Sequence, residues 1–400
     1  MPNTILTPTA VTREALRILH QKLNFVGSIN RTYDDQYAKS GAKIGSDLKI
    51  RLPNQYVVRT GANLNTQDTI ETSTTLTVAT QKGVDLNFTS VDLTMSLQDF
   101  SDRILEPAMA VLAANVEADA LNMYQDVYQQ INGQGAAANF RNVLLGRKRL
   151  SDSLAPGSNR TALLNTQDNV DMVDALKGLF QDSTEVSKQY REGYMGRTAG
   201  FTFAENTLIP SHARGAANTA YTTSTLVGVL PISSTPVSSI TVATGAGAMA
   251  KGEIFTIANV FEVHPETKAN TGRLQQFVVT TAHAGGAGSV AISPSIVLAG
   301  GAQNVVIPTT SATAAMSFAG TISTNHGISL LYHKDAFAFA TADLVMPEGV
   351  DFAAREVYDG LSMRIVRQYA IGTDTFPCRL DILYGFKTIR AQLATRLAAN

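Results

Sequence analysis

The sequence predicts an α+β protein, on three observations. Residues 98–132 carry apolar side chains at a helical period, through Phe100, Ile104, Ala108, Leu112, Val116, Ala120, Tyr124, Val127 and Ile131. From about 223 to 314, short apolar runs (LVGVL, SSITVA, EIFTIANVFEV, QQFVVTTA, SVAIS, NVVIP) are separated by Gly, Ser and Pro turns, the pattern of a small all-β barrel or sandwich. Strand-like segments then resume in ISLLYHKDAFAFAT, LSMRIVRQYAI and RLDILYGFKTI. The β segment therefore reads as an insertion into a mixed α+β body.

Taken in order, residues 1–11 read as an extended arm, because Pro2 and Pro8 resist regular structure. Thr12 is placed to cap a short helix with Leu16, Leu19 and Leu23 on one narrow stripe, which needs a surface to lie on, its own body or another subunit. Leu48, Ile50 and Leu52 alternate with Lys49 and Arg51, a polar excursion follows, and a second strand runs through Leu76 and Val78. Together these read as a protruding hairpin. A third strand puts Val84, Leu86 and Phe88 on one face. The 98–132 helix would be about 45 Å long at 1.5 Å per residue, with Gly133 as its C-terminal cap and Pro107 either starting or kinking it. Asn165 or Thr166 caps a further helix bearing Val170, Val173, Leu176, Leu179 and Phe180. In the β segment, Phe255, Ile257, Phe261 and Val263 share one side of a strand interrupted by Asn259. A charged tip, His264 to Arg273, then leads to the returning strand, longer than the two to five residues of an ordinary hairpin loop. Gly372 and Thr373 offer a turn between the last two strands.

Composition removes several classes. Charged residues make up 16% against roughly 25% in an average soluble protein, which suits a chain that buries much of its exterior against other subunits. The net charge of −1 supplies no global field toward nucleic acid or membrane. Arg147, Lys148 and Arg149 read as a solvated turn. The single cysteine, Cys378, excludes an internal disulfide and reads as a buried, inert thiol. Arg13, Glu14 and Arg17 interrupt the N-terminus where a signal peptide needs an apolar run, and no segment reaches the ~20 apolar residues of a membrane span. A soluble, cytosolic product is expected. The histidines, among them His212, His264, His283, His326 and His333, are scattered, with no H-E-x-x-H pair for zinc. Phosphate-loop and G-x-S-x-G patterns are missing, and GAGAMAKGE at 245–253 lies among β turns without phosphate-loop spacing. Asp85, Asp92, Asp99 and Asp102 read as solvated or helix-start carboxylates. No catalytic residue, cofactor or metal is expected, so the chain reads as no enzyme.

Five segments, NTILTPTAVTREALRILHQKLNFVGSINRTYDD, IGSDLKIRLPNQYVVRTG, SDRILEPAMAVLAANVEADAL, KGLFQDSTEVSKQYREGYMG and GEIFTIANVFEVHPETKANTGRLQQFVV, together resemble the major capsid proteins of tailed bacteriophages, in particular the coat family of short-tailed phage P22. The resemblance runs in order over most of the chain. It implies an HK97-type capsid fold: an N-terminal arm and helix (1–44), an E-loop hairpin (45–80), a peripheral domain with the spine helix (81–133), an axial domain in two parts (134–222 and 315–375), an inserted all-β barrel-like domain (223–314), and a C-terminal peripheral-domain strand and tail (376–400). It further implies self-assembly into pentamers and hexamers of an icosahedral head around double-stranded DNA, with assembly in the host cytoplasm, and portal and scaffolding proteins as partners. The family uses a loop of the inserted domain to reach a neighbouring capsomer, and the 264–273 tip is the candidate. His264, Glu266, Lys268 and Arg273 are the contact candidates there, Lys49, Arg51 and Arg59 on the hairpin, and Glu14 and Arg17 on the N-terminal helix. A nanocompartment shell of the same fold, a β-rich virion surface or adhesion protein, and an enzyme whose site forms only on folding are the alternatives.

Overall fold

The strand Thr375–Thr388, with Cys378, Leu380, Ile382 and Tyr384 buried at every second position, organises the first of two units into which the chain divides. The structure is a computed structural model that describes residues 8–32, 47–64, 66, 71–89, 104–176, 196–218, 220–224, 235–308, 313–358, 361–373 and 375–399. Arm residues 1–7, Phe100, Leu179, Phe180, Asp92, Asp99 and Asp102 lie outside the described residues. The molecule is a strand-rich mixed α/β protein.

The first unit comprises Met1–Ile50, Ser73–Leu121 and Phe337–Ile389. Around the Thr375–Thr388 strand pair Thr80–Thr89, Leu361–Arg367 and Phe337–Ala342, and Phe352–Tyr358 extends the sheet from Leu361–Arg367. Helix α1, Pro8–Lys22, begins four residues earlier than the expected Thr12 cap, with Pro8 at its first position, where a missing N–H costs nothing. Thr12 is instead buried inside the helix. Leu16 and Leu19 are fully buried, and the helix lies on this unit's own elements, the strands Phe352–Tyr358 and Leu361–Arg367 and helix α3. Between them sits the single turn α2, Phe25–Ser28. Helix α3 is Glu106–Leu121, with Pro107 in its first turn.

That helix corrects a sequence expectation. It is 16 residues, about 24 Å long, and not the 45 Å rod read from periodicity. Asn122–Asp126 tightens into a 3-10 turn, and Gln130–Gly133 becomes a strand running parallel to Arg396–Ala399. The apolar period through Val127 and Ile131 is real, but pairing with the C-terminal strand overrides it. Gly133 is correspondingly no helix cap.

The second unit comprises Arg51–Thr72, Asn122–Ala336 and Arg390–Asn400. One of its sheets is mixed, in the order Gln130–Gly133, Ala394–Ala399, Asn325–His333, Arg160–Leu164, Phe201–Glu205, Arg197–Thr198, with His212–Ala213 paired to Asn325–His333. Helix α4, Phe140–Asp152, contacts three of these strands, and α5, Thr166–Leu176, starts at Asn165, whose Oδ1 accepts the Asp168 N–H at 2.6 Å. Arg147, Lys148 and Arg149, expected in a turn, are therefore helical.

The other sheet closes on itself. Thr222–Thr223, Val237–Thr244, Gly288–Ile296, Asn270–Val279, Ile254–Val263 and Met316–Phe318 pair in sequence round a ring, and the bridge Thr222–Ala315 joins the ends, with Met316 N–H donating to Tyr221 O at 2.9 Å. Inside the barrel lie Val242, Phe255, Ile257, Val260, Phe277, Val279, Val290, Ile292 and Met316. Phe261 belonged to this face by alternation, but Val260 takes the place. Asn259 adopts the left-handed conformation (φ 64°) in a bulge, and one irregular residue exchanges the faces beyond it. Because Phe201–Glu205 and Asn325–His333 belong to the mixed sheet, the chain leaves that sheet, builds the barrel and returns.

Candidate subunit-contact surfaces

The barrel's long hairpin joins Ile254–Val263 to Asn270–Val279, so its turn is His264–Ala269; residues 270–273, expected in the tip, extend the strand. The turn is built by its own polar groups. His264 N–H donates to Ala269 O and Lys268 N–H to His264 O, both at 2.9 Å, while the His264 ring Nδ1 accepts from the N–H groups of Glu266 and Thr267 at 3.3 Å. Lys268 sits at φ 57°, and its Nζ donates to Pro265 O at 2.6 Å and Gln303 O at 3.3 Å. Burial of this ammonium lowers its pKa. Lys268 thus closes the turn and Glu266 is its exposed charge.

Arg273 works close to the turn, on the returning strand. It donates to Asp152 at the end of α4 and, at 3.2 Å, to Glu262, whose carboxylate also accepts from Arg149 at 3.2 Å. Two cations and two carboxylates alternate in one half-buried network that fixes the turn end of the hairpin to α4. Burial, followed by the neighbouring Arg273, lowers the Arg149 pKa. Gln130 and Gln276 add a reciprocal pair: Gln130 N–H to Gln276 Oε1 and Gln276 Nε2 to Gln130 O, each at 3.0 Å. Neither Asp152, Glu262 nor Gln276 carries a sequence signal of its own: Arg149–Glu262, Arg273–Asp152 and Gln130–Gln276 each join residues more than a hundred positions apart.

The hairpin read at 45–80 forms a two-stranded sheet, Asp47–Arg51 with Ser73–Thr77. Ile50, Leu76 and Val78 bury beside Ala338, Ala340 and Ala342, which explains the alternation at its base. Lys49 points outward, Arg51 pairs with exposed Glu71 at 3.2 Å, and Arg59 donates to Gly61 O. The excursion beyond carries an unexpected feature: Tyr56, Val57, Val58 and Leu64 are exposed, Val58 at 89% and Leu64 at 83%. On α1, Arg17 and Glu14 pair with each other one turn apart.

The nine candidates lie on α1, on the 45–80 hairpin and on the barrel's turn and returning strand. Among the described residues no group of three His, Cys, Asp or Glu side chains could hold a metal ion, and no helix is long and apolar enough to cross a membrane. Cys378 is buried, and burial pushes its thiol up to about 12, as an inert role requires. The scattered histidines are less scattered than the sequence suggested: His212 and His326 stand opposite each other on paired strands.

Comparison with known proteins adds the following. A family model described as "P22 coat protein - gene protein 5" matches residues 28–395. No curated protein matches. Among solved structures, a Mycobacterium phage Che8 chain aligns at a TM-score of 0.48 with 11% identity, over 94% of this chain and 90% of its own. A capsid chain of the cyanophage P-SCSP1u aligns at 0.45 with 9% identity, covering 89% and 84%. A chain of the satellite phage P4 procapsid, a structure that includes the size determination protein, aligns at 0.42 with 7% identity, covering 100% and 94%.

Proposed function

Because the chain belongs to the P22 coat protein family and is a major capsid protein forming the shell of a phage virion, we propose that it builds an icosahedral head from pentamers and hexamers in an HK97-type arrangement. On this reading 45–80 is the E-loop, α3 is a shortened spine within the peripheral domain 81–133, and 134–222 with 315–375 is the axial domain. The barrel, whose strands run from Thr222 to Phe318 and so overstep the 223–314 read from the sequence, is the family's inserted domain, and 1–44 and 376–400 are the arm and the C-terminal strand and tail. Scaffolding and portal proteins meet the shell during assembly in the bacterial cytoplasm. Packaged double-stranded DNA touches the inner surface without sequence reading, as a net charge of −1 suits.

The observation that carries the contact reading is the run of apolar side chains on the 52–72 excursion, exposed where burial would be worth roughly 1.5–3 kcal/mol each. A neighbouring copy supplies that burial in every capsomer. The 264–269 turn is the second contact, with Glu266 as its free charge and exposed pairs worth about 0–1 kcal/mol apiece. Weak contacts repeated round a shell suffice, and they keep wrong assemblies reversible. Electron microscopy of the overexpressed chain tests the reading: shells or shell fragments are expected, and a chain that remains monomeric with scaffolding protein present overturns it. Glu266→Lys is expected to lower particle yield while leaving the monomer's thermal unfolding unchanged; normal yields would remove the turn from the contact set.

A further inference from the structure

Two chain crossings join the barrel to the mixed sheet, and each carries a buried histidine. His212 and His326 are partners across the strand pair, their rings edge to face with centroids 5.3 Å apart, and they are 4% and 6% exposed. The crossings are also bonded to each other, Arg214 N–H to Thr324 O at 3.0 Å and Ser323 N–H to Gly215 O at 3.3 Å. Arg396, fully buried on the C-terminal strand, donates to the barrel's Gly252 O at 2.8 Å and lies 5.8 Å over the Tyr124 ring, whose hydroxyl is 3.2 Å from His212 Nδ1. Gly252 (φ 85°) rests on His212: a Cβ there would stand 3.2 Å from its Cε1. Nε2 of both histidines and Nε and Nη1 of Arg396 are buried without hydrogen-bond partners. Protonated rings carry N–H at both nitrogens, and at neither Nε2 does that N–H meet an acceptor.

The charged and titratable groups that act on these rings or on their arginines come from four elements. Arg396 belongs to the C-terminal strand, Arg214 to the first crossing, Tyr124 and Asp126 to the turn after α3, and Glu253 to the barrel. Glu253 is committed to Arg214 at 3.2 Å and to the Ala250 N–H at 2.9 Å, and Asp126 acts on Arg396. The histidines thus face Arg396, whose charge is offset by Asp126 and Tyr124 and not by the rings themselves.

We propose that His212 and His326 form an acid-released latch between the barrel and the mixed sheet. Neutral, the two rings seal the junction; protonated, they put up to three cations into one buried cluster, and the paired crossings separate. Burial first and Arg396 second hold the rings neutral, His212 to about 3 and His326 to about 4. Since a free histidine titrates near 6.5, the latch is fully closed above that pH and loosens as pH falls toward 4, taking up two protons as it opens.

Hydrogen exchange of amides 209–216 and 321–328 in the unassembled full chain, corrected for intrinsic rates, tests this between pH 4.5 and 6. The opening constant is expected to rise about 100-fold per pH unit in the wild type and about tenfold in His212→Gln or His326→Gln. The difference between slopes isolates the histidines from Glu253, whose carboxyl pKa burial raises and which titrates in the opposite sense. Equal slopes in all three proteins overturn the proposal. Imidazole NMR of the wild type gives a second reading that needs no variant. Both rings are expected to stay neutral while the crossings remain protected, and protonation near 6.5 with protection intact overturns the latch.

Discussion

Gly385 shows how a single residue limits the first unit. It pairs with Ala340 within the Thr375–Thr388 strand, and a Cβ at this position would come 2.1 Å from the backbone oxygen of Thr77 and 2.9 Å from Val78 Cα. Both neighbours are main chain and neither can rotate aside. Gly385→Ala must therefore lift the 73–77 strand from the sheet it covers, and it is expected to cost about 1–3 kcal/mol, read as a lower denaturation midpoint. A variant as stable as the wild type would mean that the two strands separate freely. Residues of this kind leave no mark in a sequence, because a glycine in a strand reads as a weak point until the approaching chain is seen. The same holds for Lys268 and Arg273. Both are charges in a polar loop by sequence, whereas in three dimensions one closes the turn and the other joins Asp152 and Glu262. Cys378 is the opposite case, since its strand-like apolar surroundings already identified a buried thiol.

At the scale of elements, one carboxylate does what local sequence does not. Helix α2 has Asn24 at its N-terminus without a side-chain cap, and Glu117, buried in the middle of α3, accepts the N–H groups of Phe25 and Val26 instead, the latter at 3.3 Å. A buried acid on a helix with apolar neighbours is costly unless it is engaged this way. Glu117→Ala removes the acceptor of two buried donors, and a loss of about 1–3 kcal/mol for each is expected in thermal or denaturant unfolding. Retention of wild-type stability would show that water or a shifted α2 satisfies them. Periodicity found α1, α3, α5 and most strands, because apolar spacing reports which face is covered, but it missed α4, whose Arg147–Arg149 run read as a turn. It overran at Asn122, where pairing of Gln130–Gly133 with the C-terminal strand decides the conformation. It lost phase at Asn259, because a bulge is an insertion in the period and only the partner strands show where it falls.

For the whole molecule, what the sequence conveyed best was identity by resemblance, and what it conveyed least was which surfaces remain open. Low charge content pointed to subunit contacts without locating them. The folded chain shows where apolar side chains stay open, since α1 spends its apolar stripe on its own unit while the 52–72 excursion keeps Val58 and Leu64 outside. A monomer gains nothing from those side chains, so replacing them costs it nothing. Substitutions at exposed positions usually change stability by less than about 0.5 kcal/mol. On the proposed reading the same positions lie against a neighbour in the shell, and a carboxylate there must be desolvated without a partner. Val58→Asp with Leu64→Asp is therefore expected to leave the monomer's unfolding curve in place and to abolish shells in sedimentation and electron microscopy. A conservative pair, Val58→Ile with Leu64→Met, is expected to assemble normally, which separates loss of apolar burial from mere alteration of the loop. Shells of normal yield from the aspartate pair would mean that this excursion faces solvent in the particle, and the contact would then have to be sought on the 264–269 turn alone.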